Sequence, residues 1–169
     1  MGSLVHAGRG AMGEAEVRLR DVVEEDLDLF FANQLDPEAN RMAGFTAKDP
    51  SDRAAFDRHW AKILSDPTVT NRSIVAGDVV GSIGRFELDG KPNVTYWIGK
   101  PHWGRGYATA ALKAFLAEQP ERPLYASVAF DNLGSRRVLE KCGFIVVGND
   151  RGFANGRGEE IEEVLLILE

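Results

Sequence analysis

Hydrophobic and polar residues alternate along some stretches of the chain and recur at helical spacing along others. Alternation and short apolar runs predict strands. Seven stretches fit, at residues 17–20, 73–76, 79–88, 94–98, 124–130, 144–147 and 161–168. Helical spacing predicts helices that bury one face. Four stretches fit, starting near residues 24, 51, 105 and 133.

Turn-forming residues predict how these elements connect. Gly77-Asp78 and Asp89-Gly90 separate three consecutive strands, which favours an antiparallel meander. Asp36-Pro37 ends the first helix because a residue before proline avoids helical angles, and residues 38–50 are predicted to be irregular. A glycine-rich turn at 152–158 precedes a last strand that should pair back antiparallel. The order predicts one mixed α/β (α+β) domain over residues 16–169, after a flexible lead-in at residues 1–15.

Composition narrows the classes of function. The chain has 169 residues, 44% of them hydrophobic and 27% charged, and a net charge of -6, which disfavours nucleic acid and anionic membrane surfaces as partners. No apolar run approaches the roughly 20 residues of a membrane span, so a cytoplasmic location is expected. The single cysteine, Cys142, allows no internal disulfide and is expected to be buried. Three scattered histidines offer no metal-ligand spacing, so no metal is expected.

Candidate chemistry concentrates in the loop Trp-Gly-Arg-Gly-Tyr-Ala-Thr at residues 103–109, between a predicted strand and a predicted helix. Its glycines permit close backbone approach, and unpaired amides at a helix start suit a phosphate. The same glycines could simply make a tight turn. A Walker A loop is excluded because no Gly-Lys-Ser/Thr follows. A dinucleotide fold remains an alternative, with Asp131 as the ribose-binding acid, although Thr109 occupies the third glycine position.

Residues 96–109, Tyr-Trp-Ile-Gly-Lys-Pro-His-Trp-Gly-Arg-Gly-Tyr-Ala-Thr, resemble the acyl-CoA loop of the GNAT superfamily of N-acetyltransferases. The closest likeness is to the group that acetylates the N-termini of ribosomal proteins. Residues 132–144 resemble that group's Asn-x-x-Ser helix, which ends in Gly-Phe. The resemblance implies a GNAT-like fold with a mostly antiparallel central sheet, about four flanking helices and strands splayed at the acyl-CoA site. It also implies acetyl-CoA as the cosubstrate.

The resemblance further implies which residues contact acetyl-CoA. Amides of residues 103–108 would hold the pyrophosphate, the pantetheine arm would lie between the splayed strands, and an amide near Trp97 or Ile98 would polarise the thioester carbonyl. The amine would then attack directly, without a covalent enzyme intermediate. The cofactor-binding residues predicted in this way are Trp97, Ile98, Trp103, Gly104, Arg105, Gly106, Tyr107, Ala108, Thr109, Asn132 and Ser135.

The acid and the base are less clearly indicated. Ser135 lies on the inward stripe of its helix and could hydrogen-bond the CoA sulfur, or instead bond back to the preceding turn. Asn132 could bind the pantetheine amide or cap the helix. Tyr96 is the most plausible cleft residue for orienting an amine or relaying its proton. Other candidate bases are Glu87, Asp89 and His59, any of which could be structural.

The predicted acceptor is a primary amine bound by Phe45, His59 and Tyr96, in a wall that also includes Arg41, Lys48 and Trp60. A protein N-terminus, an amino acid, a polyamine and an aminoglycoside-like compound all remain open, with the acidic balance mildly favouring cations. The expected assembly is a monomer or a homodimer. The alternative to an enzyme is a catalytically idle acyl-CoA-binding module, since several acidic or tyrosine positions common in the family carry other residues here.

Overall fold

A single seven-stranded sheet organises the computed structural model, which describes residues 15–169. The strands are β1 (Arg18–Asp21), β2 (Thr70–Ala76), β3 (Asp78–Leu88), β4 (Lys91–Ile98), β5 (Leu124–Ala129), β6 (Ile145–Ala154) and β7 (Glu159–Leu168). Their order across the sheet is β1-β2-β3-β4-β5-β7-β6, and every neighbouring pair is antiparallel except β4 and β5. The predicted fold class and strand number are confirmed, and 14 of the 15 residues of the predicted lead-in lie outside the described residues.

Five helices flank the sheet, where about four were expected. They are α1 (Glu24–Gln34), α2 (Pro37–Ala43), α3 (Arg53–Ser65), α4 (Tyr107–Glu118) and α5 (Leu133–Lys141), with a short 3-10 helix at Lys100–His102. The main core packs α4 and α5 against the sheet through buried residues that include Ile74, Leu112, Phe115, Leu124, Leu139 and Phe144. A second cluster joins α1 to α3 through Phe30, Phe56 and Trp60.

The additional helix, α2, corrects the prediction of an irregular stretch at residues 38–50. Asp36 caps it, because its Oδ1 accepts a hydrogen bond from the Ala39 amide at 2.8 Å, and Pro37 occupies the first helical turn. Proline suits that position since its missing N–H would be unpaired there in any helix. The Asp-Pro pair therefore ends one helix and starts the next.

Strands β2 and β4 each begin three residues before their predicted starts, at Thr70 and Lys91, and two further boundaries differ near the glycine loop and at the sheet edge. Helix α4 begins at Tyr107 rather than near Arg105, because Gly104 and Gly106 take positive φ angles of 76° and 78° that interrupt a helix. Strand β6 continues to Ala154, well beyond the predicted end at residue 147, and pairs with β7 as far as Glu159. As an edge strand it is held by backbone bonds along one side, so its mostly exposed residues show little apolar alternation.

Strands β4 and β5 diverge in the middle of the sheet. Their parallel register contains one pair, Asn93 with Tyr125, near the start of each strand. Beyond that pair, β4 continues alone on this side to Ile98, while β5 pairs along its whole length with β7. The predicted splay is thus present, and it leaves the last residues of β4 with a free backbone edge.

Candidate functional site

A cavity of about 710 Å³ opens at the splay between β4 and β5. Its walls come from the end of β4, the loop to α4, the first turn of α4, helix α5 and the neighbouring part of α2. Of the eleven predicted cofactor-binding residues, the lining includes Trp97, Ile98, Trp103, Gly104, Gly106, Tyr107, Ala108, Thr109, Asn132 and Ser135. Arg105 is exposed and lies outside this lining.

The start of α4 supplies unpaired amides to this cavity. Gly106 is the N-cap residue and makes no side-chain cap, and the first helical bond runs from the Ala110 amide to the Gly106 carbonyl at 3.1 Å. The amides of residues 107–109 are therefore not used within the helix, and they carry the positive end of its dipole. A Cβ on Gly106 would contact only Ala15 at 3.8 Å, so the space above the loop is open. This arrangement fits a diphosphate.

The free edge of β4 supplies further backbone donors. The Gly99 amide donates to Val80 at 2.9 Å, and in an antiparallel ladder such bonds involve alternate residues. The Trp97 amide is accordingly directed to β3, opposite Ser82, whereas the amides of Tyr96 and Ile98 face the splay. The Ile98 carbonyl accepts a bond from Trp103 Nε1 at 2.8 Å, which holds the loop against the strand. Of the two predicted donors, Ile98 is the one with its amide available.

Tyr96 and Ser135 meet at the inner end of the cavity. Tyr96 Oη lies 2.7 Å from Ser135 Oγ and donates to the Ser135 carbonyl at 3.1 Å, so the two predicted catalytic residues contact each other. Burial raises the pKa of Tyr96 to about 12, although the hydrogen bond with Ser135 lowers it in part. The phenol therefore stays protonated near neutral pH, where it can donate a hydrogen bond but cannot act as a base.

Asn132 and Cys142 have structural contacts here. Asn132 Oδ1 accepts a bond from the Ser135 amide at 3.2 Å and so caps α5, which leaves its Nδ2 group as the part that a ligand could use. The Cys142 thiol donates to the Thr109 carbonyl at 3.8 Å, and burial raises its pKa. A half-buried protonated thiol is a weak nucleophile.

Two cations in the cavity wall were not predicted from the sequence. Arg137 and Lys141 are exposed, lie one turn apart on α5 and line the same cavity as the glycine loop. Their spacing places them on one edge of the helix, and this was the available signal. They add positive charge to a site that already fits phosphates. Helix α2 contributes Ala39, Met42 and Ala43, a wall that was missed because this segment was predicted to be irregular.

A second cavity of about 240 Å³ lies against the other side of the β4 end, between α1, α3 and strands β2 to β4. All three predicted substrate-binding residues, Phe45, His59 and Tyr96, line it. Tyr96 and Trp97 line both cavities, so the two spaces share a wall. Although His59 is partly exposed, desolvation lowers its pKa, and nearby Lys62 lowers it further.

Other sequence candidates lie away from both cavities. Glu87 pairs with Arg85 at 3.3 Å, and Asp89 sits in the β3–β4 turn with a φ of 52°. Neither is in the described lining of these two cavities, and the same holds for Arg41 and Lys48; all four side chains are exposed. The position of Glu87 and Asp89 outside these two cavities does not favour either as the base, and the choice of base stays a prediction.

Residues 15–169 contain no group of three or more His, Cys, Asp or Glu side chains placed to hold a metal ion. Nor does any helix within that range have the length and apolar character needed to cross a membrane.

Known proteins similar to this chain are acetyltransferases. The family model for the acetyltransferase (GNAT) domain matches residues 16–145. An uncharacterized N-acetyltransferase, p20, of Bacillus licheniformis is 26% identical over 165 residues, covering 89% of this chain and 90% of the relative.

Two solved structures extend the comparison. Spermidine N-acetyltransferase from Vibrio cholerae, in complex with CoA and spermine, has a TM-score of 0.73 at 17% identity and covers 89% of this chain and 95% of its own. RimL, a ribosomal L7/L12 alpha-N-protein acetyltransferase in complex with coenzyme A, has a TM-score of 0.71 at 14% identity. The match covers 88% of this chain and 92% of the RimL chain. At these identities the likeness shows a shared fold.

Proposed function

Because the chain belongs to the GNAT acetyltransferase domain family and is an acyltransferase, we propose that it transfers an acetyl group from acetyl-CoA directly to a primary amine. One observation carries this proposal: the larger cavity, with its unpaired helix amides, and the smaller cavity share the wall formed by Tyr96 and Trp97. A thioester in the first cavity and an amine in the second would meet at that wall. Transfer in a ternary complex needs no covalent intermediate on the protein.

The residues present fit acetyl-CoA. The free amides at the start of α4 would bind the pyrophosphate, with Arg137 and Lys141 adding charge at its rim. The free edge of β4 would pair with the amide groups of the pantetheine arm. In this position the Ile98 amide would donate to the thioester oxygen as negative charge develops there, which is the kind of contact that lowers the barrier most.

Ser135 would stabilise the departing sulfur. Either hydroxyl can donate across the 2.7 Å contact between Tyr96 Oη and Ser135 Oγ. If Tyr96 turns its one proton from the Ser135 carbonyl to Ser135 Oγ, the Ser135 hydroxyl proton is free to hydrogen-bond the sulfur. As the nitrogen–carbon bond forms and the carbon–sulfur bond breaks, that contact would stabilise the thiolate. The raised pKa of Tyr96 keeps its proton in place for this role.

His59 would accept the proton that the amine loses. Among the described residues that line the second cavity, His59 and Tyr96 are the two with titratable side chains. Desolvation lowers the pKa of His59, so its imidazole is neutral near pH 7. A neutral imidazole can take a proton directly or through one water. The expected setting remains the cytoplasm, and the expected assembly a monomer or a homodimer.

Blocking the glycine loop tests the cofactor site. Gly106→Trp should abolish CoA binding, measured by calorimetry, because the side chain fills open space beside the phosphate-binding amides. Gly77→Trp is the matched control, because the φ of Gly77, 80°, is close to the 78° of Gly106, and a Cβ on Gly77 would meet nothing within 4 Å. Unchanged binding by Gly106→Trp would refute the cofactor site.

Turnover separates an enzyme from a binding module. Thiol release from acetyl-CoA should rise on adding a suitable amine and should vanish in Gly106→Trp. Tight CoA binding without thiol release across peptides, polyamines and amino-acid amides would favour the idle module. That alternative draws support from the placement of Glu87 and Asp89 away from both cavities.

A further inference from the structure

The second cavity has an uncharged wall. Among the described residues that line it, none is Asp, Glu, Lys or Arg, and the lining is rich in aromatic rings. Phe30, Phe56 and Trp60 form its buried side, with the Phe30 and Trp60 ring centroids 5.1 Å apart. A protonated polyamine or an aminoglycoside would bring several charges into this space without a carboxylate to pair them, at a high desolvation cost.

Three polar atoms in this wall are buried without a hydrogen-bond partner among residues 15–169. They are Thr46 Oγ1, Asn71 Nδ2 and Trp97 Nε1, and each belongs to a residue that lines the second cavity. Buried polar groups normally find partners, since an unmet donor costs free energy in the folded state. Three of them around one cavity indicate a ligand that supplies the missing partner.

The chemistry of these atoms indicates what that ligand carries. An indole N–H can only donate, an amide NH2 donates, and a hydroxyl can do either. The Asn71 side chain packs closely against the backbone of Gly84. A Cβ at position 84 would lie 2.6 Å from Asn71 Oδ1, so only a glycine leaves room for the Asn71 side chain in this position. The complementary group is an uncharged oxygen acceptor such as an amide carbonyl.

Resting on the proposed function, we propose that the acceptor is a primary amine on an uncharged, largely apolar body with an amide-type oxygen, which Trp97, Asn71 and Thr46 recognise. An amino-acid amide has this chemistry, and so does the first residue of a polypeptide. The cavity of about 240 Å³ has room for one such unit. The inference runs against the mild preference for cationic acceptors that the acidic composition suggests.

An acceptor panel tests this directly. Acetyl-CoA-dependent thiol release is measured with phenylalaninamide, phenethylamine, phenylalanine and spermidine. With each rate expressed per neutral amine at the assay pH, phenylalaninamide should have the highest kcat/KM, at least about tenfold above phenethylamine, because a site built to bond an oxygen discriminates against the analogue that lacks it. A tripeptide with N-terminal phenylalanine distinguishes a polypeptide N-terminus from a free amino-acid amide. A kcat/KM comparable to that of phenylalaninamide indicates a polypeptide N-terminus, and a much lower value indicates a free amide.

Variants that remove single polar atoms connect the preference to the buried atoms of Thr46 and Trp97 that lack a partner. Thr46→Val and Trp97→Phe should bring the ratio of kcat/KM for phenylalaninamide to kcat/KM for phenethylamine to within about threefold of unity, because kcat/KM for the amide falls more than kcat/KM for the amine. Thr68→Val is the matched control, since the Thr68 hydroxyl is already bonded to Asp66 at 2.7 Å on the surface. It should leave the ratio unchanged, and melting temperatures should confirm that all variants fold.

The outcomes separate this inference from the proposed function. A preference for spermidine or phenylalanine, or an unaltered ratio in both variants, overturns the acceptor class while leaving acetyl transfer in place. Absence of turnover with every amine overturns both.

Discussion

At the scale of single residues, the contact between Ser135 and Tyr96 should control turnover. Ser135→Ala removes the hydroxyl proposed to stabilise the sulfur, and we expect kcat to fall about 10- to 100-fold, in the range of one lost hydrogen bond to a charged group. The dissociation constant for CoA, measured by calorimetry, should stay within about twofold, because the pyrophosphate is held elsewhere. Ser65→Ala, on the exposed end of α3, is the control. Equal turnover in Ser135→Ala and the control would remove Ser135 from the mechanism.

His59 should set the acidic limb of the pH profile. Its pKa lies below the ordinary 6.5, so it is neutral and able to accept a proton at pH 7 and becomes charged only as the pH falls further. With phenylalaninamide as the acceptor, kcat/KM of the wild type should decrease as the pH is lowered below about 6.5. In His59→Asn, kcat/KM at pH 7 should be at least about tenfold lower than in the wild type. The part of the pH dependence that comes from protonation of His59 should disappear.

The acceptor's own amine titrates identically in both proteins, so the comparison isolates the histidine. A variant that keeps the wild-type profile would show that the proton leaves to solvent, and His59 would then be only a wall residue.

The sequence predicted most site residues individually but not their pairing. Tyr96 and Ser135 were both named, yet nothing local indicates that residues 39 apart share a 2.7 Å hydrogen bond. The same limit hid the orphaned Trp97 and Asn71 atoms, since a missing partner is a property of the assembled wall. Arg137 and Lys141 could have been found from their helical spacing, once α5 was placed against the glycine loop.

At the scale of elements, the close approach of β3 to β4 should matter for both stability and binding. A Cβ on Gly81 would lie 2.0 Å from the Trp97 carbonyl oxygen, so Gly81→Ala forces β4 to move. We expect a loss of about 1–3 kcal/mol in the free energy of unfolding, measured with urea, as for overpacked sites. CoA affinity should fall as well, since the Ile98 amide moves with the strand.

Gly148→Ala is the matched control on the edge strand β6, where a Cβ meets nothing within 4 Å. It should change the free energy of unfolding by less than about 0.5 kcal/mol. If Gly81→Ala were equally neutral, the packing of β4 would not constrain the site.

Elements were predictable where apolar residues carry the periodicity. Helices α1, α3, α4 and α5 each bury an apolar face, and all four were predicted. Helix α2 has seven residues and starts at Pro37. The proline was interpreted only as the end of α1, and the capping of a new helix by Asp36 was not predicted. Ion pairs connect the start of α2 to the short 3-10 helix that follows β4. Lys100 pairs with Glu38, and its Nζ lies 3.9 Å from Asp36 Oδ2. Such long-range ion pairs leave no periodic pattern in the sequence.

At the scale of the whole molecule, the net charge and the charge of the second cavity favour different acceptors. The net charge of -6 is an average over the surface, whereas recognition depends on the charges inside one cavity. The described wall of the second cavity carries none. Net charge predicts solubility and long-range steering, and these are properties of the exterior.

The acid stability of the fold should depend on Asp26, which joins β1, α1 and β2. Burial raises the pKa of Asp26, but bonds from Arg20 at 2.6 and 2.9 Å, Ser73 at 2.6 Å and the Val23 amide outweigh it and lower the pKa to about 2. A lowered carboxyl pKa stabilises the fold above the unfolded value and loses that stabilisation as the pH falls from about 4 towards 2.

The shift corresponds to about 2 kcal/mol at pH 7, of which about 1 kcal/mol should be lost by pH 3. Asp26→Asn should therefore be less stable than the wild type at pH 7, by at least about 2 kcal/mol in urea unfolding, and the difference should shrink by about 1 kcal/mol at pH 3. Asp28→Asn is the control, because the Asp28 side chain is 82% exposed and its ion pair with Arg53 is screened by water. A difference that stayed constant between pH 7 and pH 3 would mean that Asp26 contributes through packing alone, and that the ionised carboxylate does not hold the three elements together.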